Sequence, residues 1–412
     1  NMQKTIQTIF ITIFLIGVVS CAKNDEKTLL KTGFWNGTIQ MQQKALPFNF
    51  EILKNNETYT IHLINGEETL VLDEVQVKND SLFFTFHIFD IDVKAKIKDS
   101  VLEGVYTKNY FPDYKLPFKA HFGKKSFKNS MNFNSNITEK WDMTFYGENN
   151  LDTTKAVGIF NVKNSKLSGT ILTPIGDYRY LDGFINRNDF TLNSFDGNHA
   201  FIFEGKMTSD SILNGTFYSG KSFEENFTAI KNNAIELKNA NELTYLKEGY
   251  DKLAFSFPDL NGKLVTLDDE KYQNKVVIVQ VFGTWCPNCM DESKFYQQWF
   301  QKNSHHDVEI IGLAYEAKDD FNYAKNRVEK MKDKLEITYD ILIAGTSDKK
   351  EASKTLPMLN HIMSFPTSIF IDKKGTIRKI HTGFSGPATG KYYDEFVQEF
   401  TVLMEALLSE ES

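Results

Sequence analysis

A chain of 412 residues exceeds one ordinary hydrophobic core and predicts two or three domains of roughly 100 to 200 residues each. Its formal charge of −7 provides no basic field, which excludes nucleic acid as a partner class. Aromatic residues make up 14 % of the chain, with 35 Phe, a composition suited to many half-buried strands.

The first element is a targeting segment. Lys4 supplies a positive start and TIFITIFLIGVVS (8–20) an apolar stretch, too short for a membrane span of ~20 residues. It runs into Val18-Val19-Ser20-Cys21, which resembles the lipobox of bacterial lipoproteins. That resemblance implies a signal peptide over 1–21, lipidation of Cys21 as the new N-terminus, and anchorage to a lipid bilayer. An ordinary secretory signal with a chance cysteine, or an uncleaved N-terminal anchor, are the alternatives. Residues 22–31, opening with the polar AKNDE, read as a tether. The mature chain is then expected outside the cytoplasm, on a bacterial membrane, where disulfides persist. Cys286 and Cys289 are its two usable thiols.

From 32 to about 231 the pattern is short alternating runs bounded by Gly, Asn and Asp, such as ETYTIHLIN (57–65) and AFIFEGKM (200–207), which read as antiparallel strands. The region repeats itself. DSVLEGVYT from Asp99 returns as DSILNGTFY from Asp210, LDEVQVKNDSL from Leu72 as LDGFINRNDFT from Leu181, and WNGTI from Trp35 as WDMTF from Trp141. We read two copies of one β unit, 32–123 and 138–231, forming two small barrels or sandwiches or one barrel closed from both halves. No catalytic cluster shows in them, and they are expected to act as a spacer or substrate-docking module.

Residues 232–252 turn polar and helix-compatible and read as a linker or capping helix. From 253 to 412 strands and helices alternate. KVVIVQVFG (275–283) is a continuous apolar run, as a central buried strand should be, and a helix is predicted over 287–302. A strand at 308–315, a helix at 321–334, strands at 339–344 and 367–372, a hairpin turn at 373–376, a strand IRKIHTG (377–383) and a helix at 392–408 follow. The order is that of an α/β unit with a mixed sheet.

The motif FGTWCPNCMDES (282–293) holds the two thiols where the buried strand ends and a helix begins. First-turn N–H groups lack intrahelical partners and the helix dipole is positive there, so a thiolate at Cys286 is favoured and Cys286 is the nucleophile. Pro287 suits the first helical turn, and Cys289, one turn on along the same face, can resolve a mixed disulfide. The rivals are weaker. Zinc needs about four ligands and no further cysteine or spaced histidine is offered; haem attachment needs a histidine where Met290 stands; a structural bridge across so short a loop removes little chain entropy. No metal or cofactor site is read. GFSGPATGKYY (383–393) lacks the lysine followed by Ser or Thr of a phosphate-binding loop and reads as a rigid loop capping the last helix.

GTWCPNC (283–289), the approach FSFPDLNGKLVTLDD (255–269) and SFPTSIFIDKKGTI (364–377) together resemble the thioredoxin fold, and within it the TlpA-like (ResA-like) thiol:disulfide oxidoreductases tethered outside the cytoplasm. The resemblance covers 253–408. It implies a cis peptide bond before Pro366, with Phe365 offering backbone groups to an extended substrate chain. It also places Glu292 as a buried proton carrier for Cys289 and Trp285 as a shield for the disulfide that contacts substrate. The function it implies is reduction of disulfides in exported proteins, with a membrane electron donor as recycling partner. A peroxiredoxin-like peroxidase shares the fold, but the proline and Thr/Ser that family places seven and three residues before its cysteine are here Val279 and Gly283. A non-catalytic binding lipoprotein on a thioredoxin-fold scaffold is the other alternative.

Overall fold

The computed structural model describes residues 30–123, 135–147, 152–163 and 166–411. The expected signal peptide over 1–21, with Cys21, lies outside the described residues.

The first strands are β1 (Gly33–Met41), β2 (Lys44–Asn55), β3 (Thr58–Asn65), β4 (Glu68–Leu72), β5 (Val75–Lys78), β6 (Ser81–Thr85), β7 (Ile91–Lys98), β8 (Val101–Lys108) and β9 (Lys115–Phe122). They form one antiparallel sheet in the order β4-β3-β2-β1-β9-β8-β7-β6-β5. The alternation that announces strands also sets their faces: in IDVKAKIK, Ile91, Val93, Ala95 and Ile97 are buried while Lys94, Lys96 and Lys98 face water.

The next strands are β10 (Glu139–Tyr146), β11 (Thr153–Lys163), β12 (Lys166–Thr173), β13 (Gly176–Asp177), β14 (Leu181–Asn186), β15 (Asp189–Phe195), β16 (Ala200–Ser209), β17 (Ile212–Ser219) and β18 (Phe223–Lys231). Their order is β11-β10-β18-β17-β16-β15-β14-β12-β13, and β11 also pairs with β12, so this sheet closes on itself into a barrel. Closure removes the exposed strand edges that invite aggregation. The strands of the two halves do not pair into one barrel: the second barrel has its own core around Trp141, Phe145 and Phe203, while the apolar face of the first sheet is continuous with Phe195, Ala200 and Ile202 of the second and with the thioredoxin-like domain.

Gly104 on β8 lies so close to β7 that a Cβ there would sit 1.9 Å from the carbonyl oxygen of Lys94. Gly104→Ala is expected to cost at least about 2 kcal/mol, because backbone must move to make room. Urea unfolding should show a lower midpoint at unchanged slope.

Residues 232–252 do not form a capping helix. They carry one 3-10 turn, Ala240–Glu242, and then continue as irregular chain, with Leu246 bridged to Leu359 and a turn closed by the Tyr250 amide on the Lys247 carbonyl. The segment has no apolar period to bury on one side, so helix propensity alone does not hold it.

After the short hairpin of β19 (Phe257–Pro258) and β20 (Leu264–Val265) come β21 (Val276–Phe282), α1 (Pro287–Asn303), β22 (Val308–Glu316), α2 (Phe321–Leu335), β23 (Asp340–Thr346), α3 (Lys349–Thr355), β24 (Thr367–Ile371), β25 (Ile377–Thr382) and α4 (Lys391–Ser409). The sheet runs β23-β22-β21-β24-β25, with β21 parallel to β22 and antiparallel to β24. All seven residues of β21 are buried, and α1 packs on α4 through Phe295, Phe396 and Phe400. This is a thioredoxin-like domain, preceded by an all-β region. The helix α3 was not expected from the sequence.

The parts pack together. Phe195 of the second sheet packs among Phe48, Phe86 and Tyr106 of the first half, tilted on Phe48 and edge-on to the other two. Along α2, Lys330 pairs with Glu74, Lys334 with Asp73, and Tyr323 donates to Asp90, tying the first sheet to the thioredoxin-like domain.

Candidate functional site: a disulfide at a helix N-terminus

The strand β21 delivers the chain to Gly283, and α1 begins at Pro287, so the intervening turn carries Trp285 and Cys286 to the edge of the sheet. Cys286 is the N-cap of α1 and its sulfur accepts a hydrogen bond from the Cys289 amide at 3.2 Å. A sulfur there does what Ser or Asp does at other N-caps: it takes one of the orphan N–H groups and meets the positive end of the helix dipole. Pro287 occupies the first helical position, where its missing N–H is not needed. Cys286 and Cys289 are joined as a disulfide; Cys286 is 6 % exposed and Cys289 fully buried, so only the first presents an attackable sulfur.

The other expected residues converge on this bond. The Phe365-Pro366 peptide is cis, and the Phe365 carbonyl oxygen lies 3.4 Å from the Cys286 sulfur. Trp285 is half-buried, packs edge-on against Phe365 with ring centroids 5.6 Å apart, and is fixed by its indole N–H donating to the Tyr315 carbonyl at 2.9 Å.

Glu292 is completely buried one turn after Cys289 on α1. Its carboxyl accepts from the Gln280 amide at 2.8 Å and the Ser368 hydroxyl at 3.0 Å. Burial nevertheless dominates and pushes its pKa up to about 8, well above the ordinary value of 4.5, because these neutral donors only partly replace water. Glu292 therefore carries a proton at neutral pH.

Sequence reasoning missed a second buried carboxyl, Glu316, at the end of β22. It accepts from the Thr284 amide at 2.9 Å and the Thr284 hydroxyl at 2.7 Å, pinning the turn two residues before Cys286; burial pushes its pKa up to about 7. A lone Glu closing an apolar strand was the available signal.

The sequence also gave no hint that the all-β region reaches this site. The Asn198 side-chain amide donates to the Trp285 carbonyl, and the Asn288 amide, between the two cysteines, donates to the Asp177 carbonyl at 3.1 Å. Arg179 grips Asp291 of α1 with two bonds of 2.9 and 3.0 Å, while also reaching Glu68 at 2.6 Å and Asp196 at 2.9 Å. One buried guanidinium thus joins the first sheet, the second sheet and the active-site helix, using the planar fork that a lysine lacks.

Comparison with known proteins bears on the same part of the chain. The profile of the AhpC/TSA family matches residues 250–380. The thioredoxin-like protein YneN of Bacillus subtilis (strain 168) is 28 % identical over 138 residues, 34 % of this chain and 73 % of its own. The thiol-disulfide oxidoreductase ResA of Bacillus thuringiensis subsp. konkukian (strain 97-27) is 30 % identical over 148 residues, 36 % of this chain and 75 % of its own. A solved structure of a thiol-disulfide isomerase from Corynebacterium glutamicum aligns over 40 % of this chain and 99 % of its own, at 21 % identity and a TM-score of 0.30. With three quarters of a ResA matched at that identity, the chain belongs to the ResA-like thiol-disulfide oxidoreductases of the AhpC/TSA family and is an oxidoreductase.

Proposed function

We propose that this protein is an extracytoplasmic, membrane-anchored oxidoreductase that reduces disulfides of exported proteins through its WCPNC motif. The observation that carries the reading is Cys286 at the N-cap of α1, its sulfur already accepting the Cys289 amide, with Cys289 buried behind it. In the reduced protein the Cys286 thiolate attacks a substrate sulfur and the other substrate sulfur leaves as a thiolate. Cys289 then attacks Cys286, releasing the second substrate thiol and closing the disulfide. Glu292, in its ionised form, takes the proton that Cys289 must lose; that form is a minority at neutral pH, its basicity is raised by burial, and its oxygens are held by the Gln280 amide and the Ser368 hydroxyl. The Trp285 face and the Phe365-Pro366 turn receive the substrate chain.

Anchorage follows from the lipobox-like run ending at Cys21, and a membrane electron donor returns the pair to the dithiol state. The all-β region is two copies of one unit. Supporting this, both sheets follow one strand order nine places apart, and Trp35 and Trp141 each donate from the indole to the carbonyl four residues earlier, at 3.1 and 2.9 Å.

The direction of electron flow is tested by the reduction potential of the Cys286/Cys289 pair in defined thiol buffers. A value near or below about −230 mV is expected of a reductant, and one near −120 mV would overturn the reducing role.

A further inference from the structure

Three turns lie together at the reactive sulfur: the Trp285–Asn288 turn that carries it, the turn at Ser364–Pro366 before β24, whose Phe365 carbonyl is 3.4 Å from the Cys286 sulfur, and the turn at Gly383–Gly386 after β25, whose Gly383 amide donates to the Pro366 carbonyl at 2.9 Å. An extended chain bringing a disulfide to Cys286 must lie across them. In this protein one loop of the second barrel, residues 174–179 around the two-residue strand β13, already touches all three. The Ser364 hydroxyl donates to the Ile175 carbonyl at 2.6 Å. Gly383 lies so close to the loop that a Cβ there would come within 2.8 Å of the Ile175 carbonyl carbon. The Asn288 amide takes the Asp177 carbonyl at 3.1 Å, and the Gly386 amide donates to the Asp177 carboxylate at 2.8 Å. Backbone carbonyls offered to the Ser364 turn and to the residue between the cysteines are what a bound peptide would offer.

The loop is held by its last residue. Arg179 keeps a left-handed backbone with φ +55°, and its amide donates to the Asp177 side chain at 2.6 Å. Its guanidinium is anchored on Asp196 and Glu68 within the β region and clasps Asp291 on α1. Asp291 is thus the one carboxylate of this cluster that belongs to the thioredoxin-like domain.

We propose that the 174–179 loop is a built-in occupant of the substrate groove, latched by Arg179 on Asp291, and that this latch determines which disulfides reach Cys286. Small disulfides reach the sulfur with the loop in place, whereas a protein disulfide reacts only from the state in which the loop has left the groove. The inference rests on the exchange chemistry proposed above and changes none of its steps.

The test uses the full chain, reduced with dithiothreitol, freed of it, and mixed in single turnover with hydroxyethyl disulfide or with insulin. Asp291→Asn removes the charge on the thioredoxin-like side while Arg179 keeps Glu68 and Asp196. The expected result is insulin reduction faster by on the order of tenfold, with the hydroxyethyl disulfide rate changed by less than about twofold. An insulin-to-hydroxyethyl rate ratio equal to the wild type's, with both reactions intact, overturns the proposal alone. Loss of both reactions in the wild-type protein overturns the exchange chemistry and this inference with it. A second measurement needs no latch variant: Cys289→Ser protein is charged with a cysteine peptide as a mixed disulfide, and hydrogen exchange is followed at the Gly386 amide. Exchange there should rise severalfold on trapping the peptide, because the Asp177 carboxylate has left; unchanged protection overturns the displacement.

Discussion

Cys286→Ser protein loses dithiol exchange by a factor of at least ~10³ and stays folded. The hydroxyl has no accessible ionised form at neutral pH, so the helix N-terminus that stabilises a thiolate has nothing to stabilise. Folding is spared for a separate reason: serine is among the best N-cap residues and its oxygen takes the Cys289 amide that the sulfur takes now. The check is insulin reduction beside a far-UV spectrum and a melting curve, with reduced wild-type protein as reference. Exchange retained in a folded Cys286→Ser protein would place the chemistry elsewhere and remove the basis of the proposed mechanism.

The second large effect concerns Glu292, where stability and activity should move in opposite directions. The folded-state pKa of about 8 stands above the ordinary value of 4.5, so folded protein keeps a proton that the unfolded chain releases. Between these values the folded state binds more protons than the unfolded, and stability falls as pH rises. The contribution of this group is complete below about pH 4.5 and lost once pH passes about 8. Glu292→Gln has no such titration. Relative to wild type it should gain on the order of 3–4 kcal/mol between pH 5 and pH 8, read as a difference in urea midpoints across that range. Its rate of resolving a mixed disulfide should fall ~10²-fold, because the amide cannot accept the Cys289 proton. A pH-independent stability difference would show that Glu292 keeps an ordinary carboxyl pKa in the folded protein and is too weak a base to hold the Cys289 proton.

Much of the molecule was legible because its signals are local. Alternating runs such as IDVKAKIK fixed which faces of the strands are buried, and a continuous apolar run marked β21 as the central strand. The CPNC text after that strand marked a helix start with a sulfur at its cap. The misses are equally physical. The helix α3 buries only Ala352, so it shows no apolar period; its signal was Asp348 as N-cap with Glu351 three residues on. The 232–252 segment has helix-compatible residues but no apolar stripe at helical spacing, and it packs on the thioredoxin-like domain as irregular chain instead, through Thr244 and Leu246.

By itself, then, the sequence determined an all-β region followed by an α/β unit, and it placed a redox pair at a helix N-terminus, since strand period, helix caps and CxxC spacing are written in neighbouring residues. Only the tertiary structure decided the surroundings of that pair. The depth of Glu292, the grip of Glu316 on Thr284, and above all the Ile175, Asp177 and Arg179 contacts with Ser364, Asn288 and Asp291 join residues as far as 189 positions apart. An arginine in a turn and an aspartate on a helix look like ordinary surface charges when read singly. Burial and pairing, which give them their energies, exist only once the domains pack.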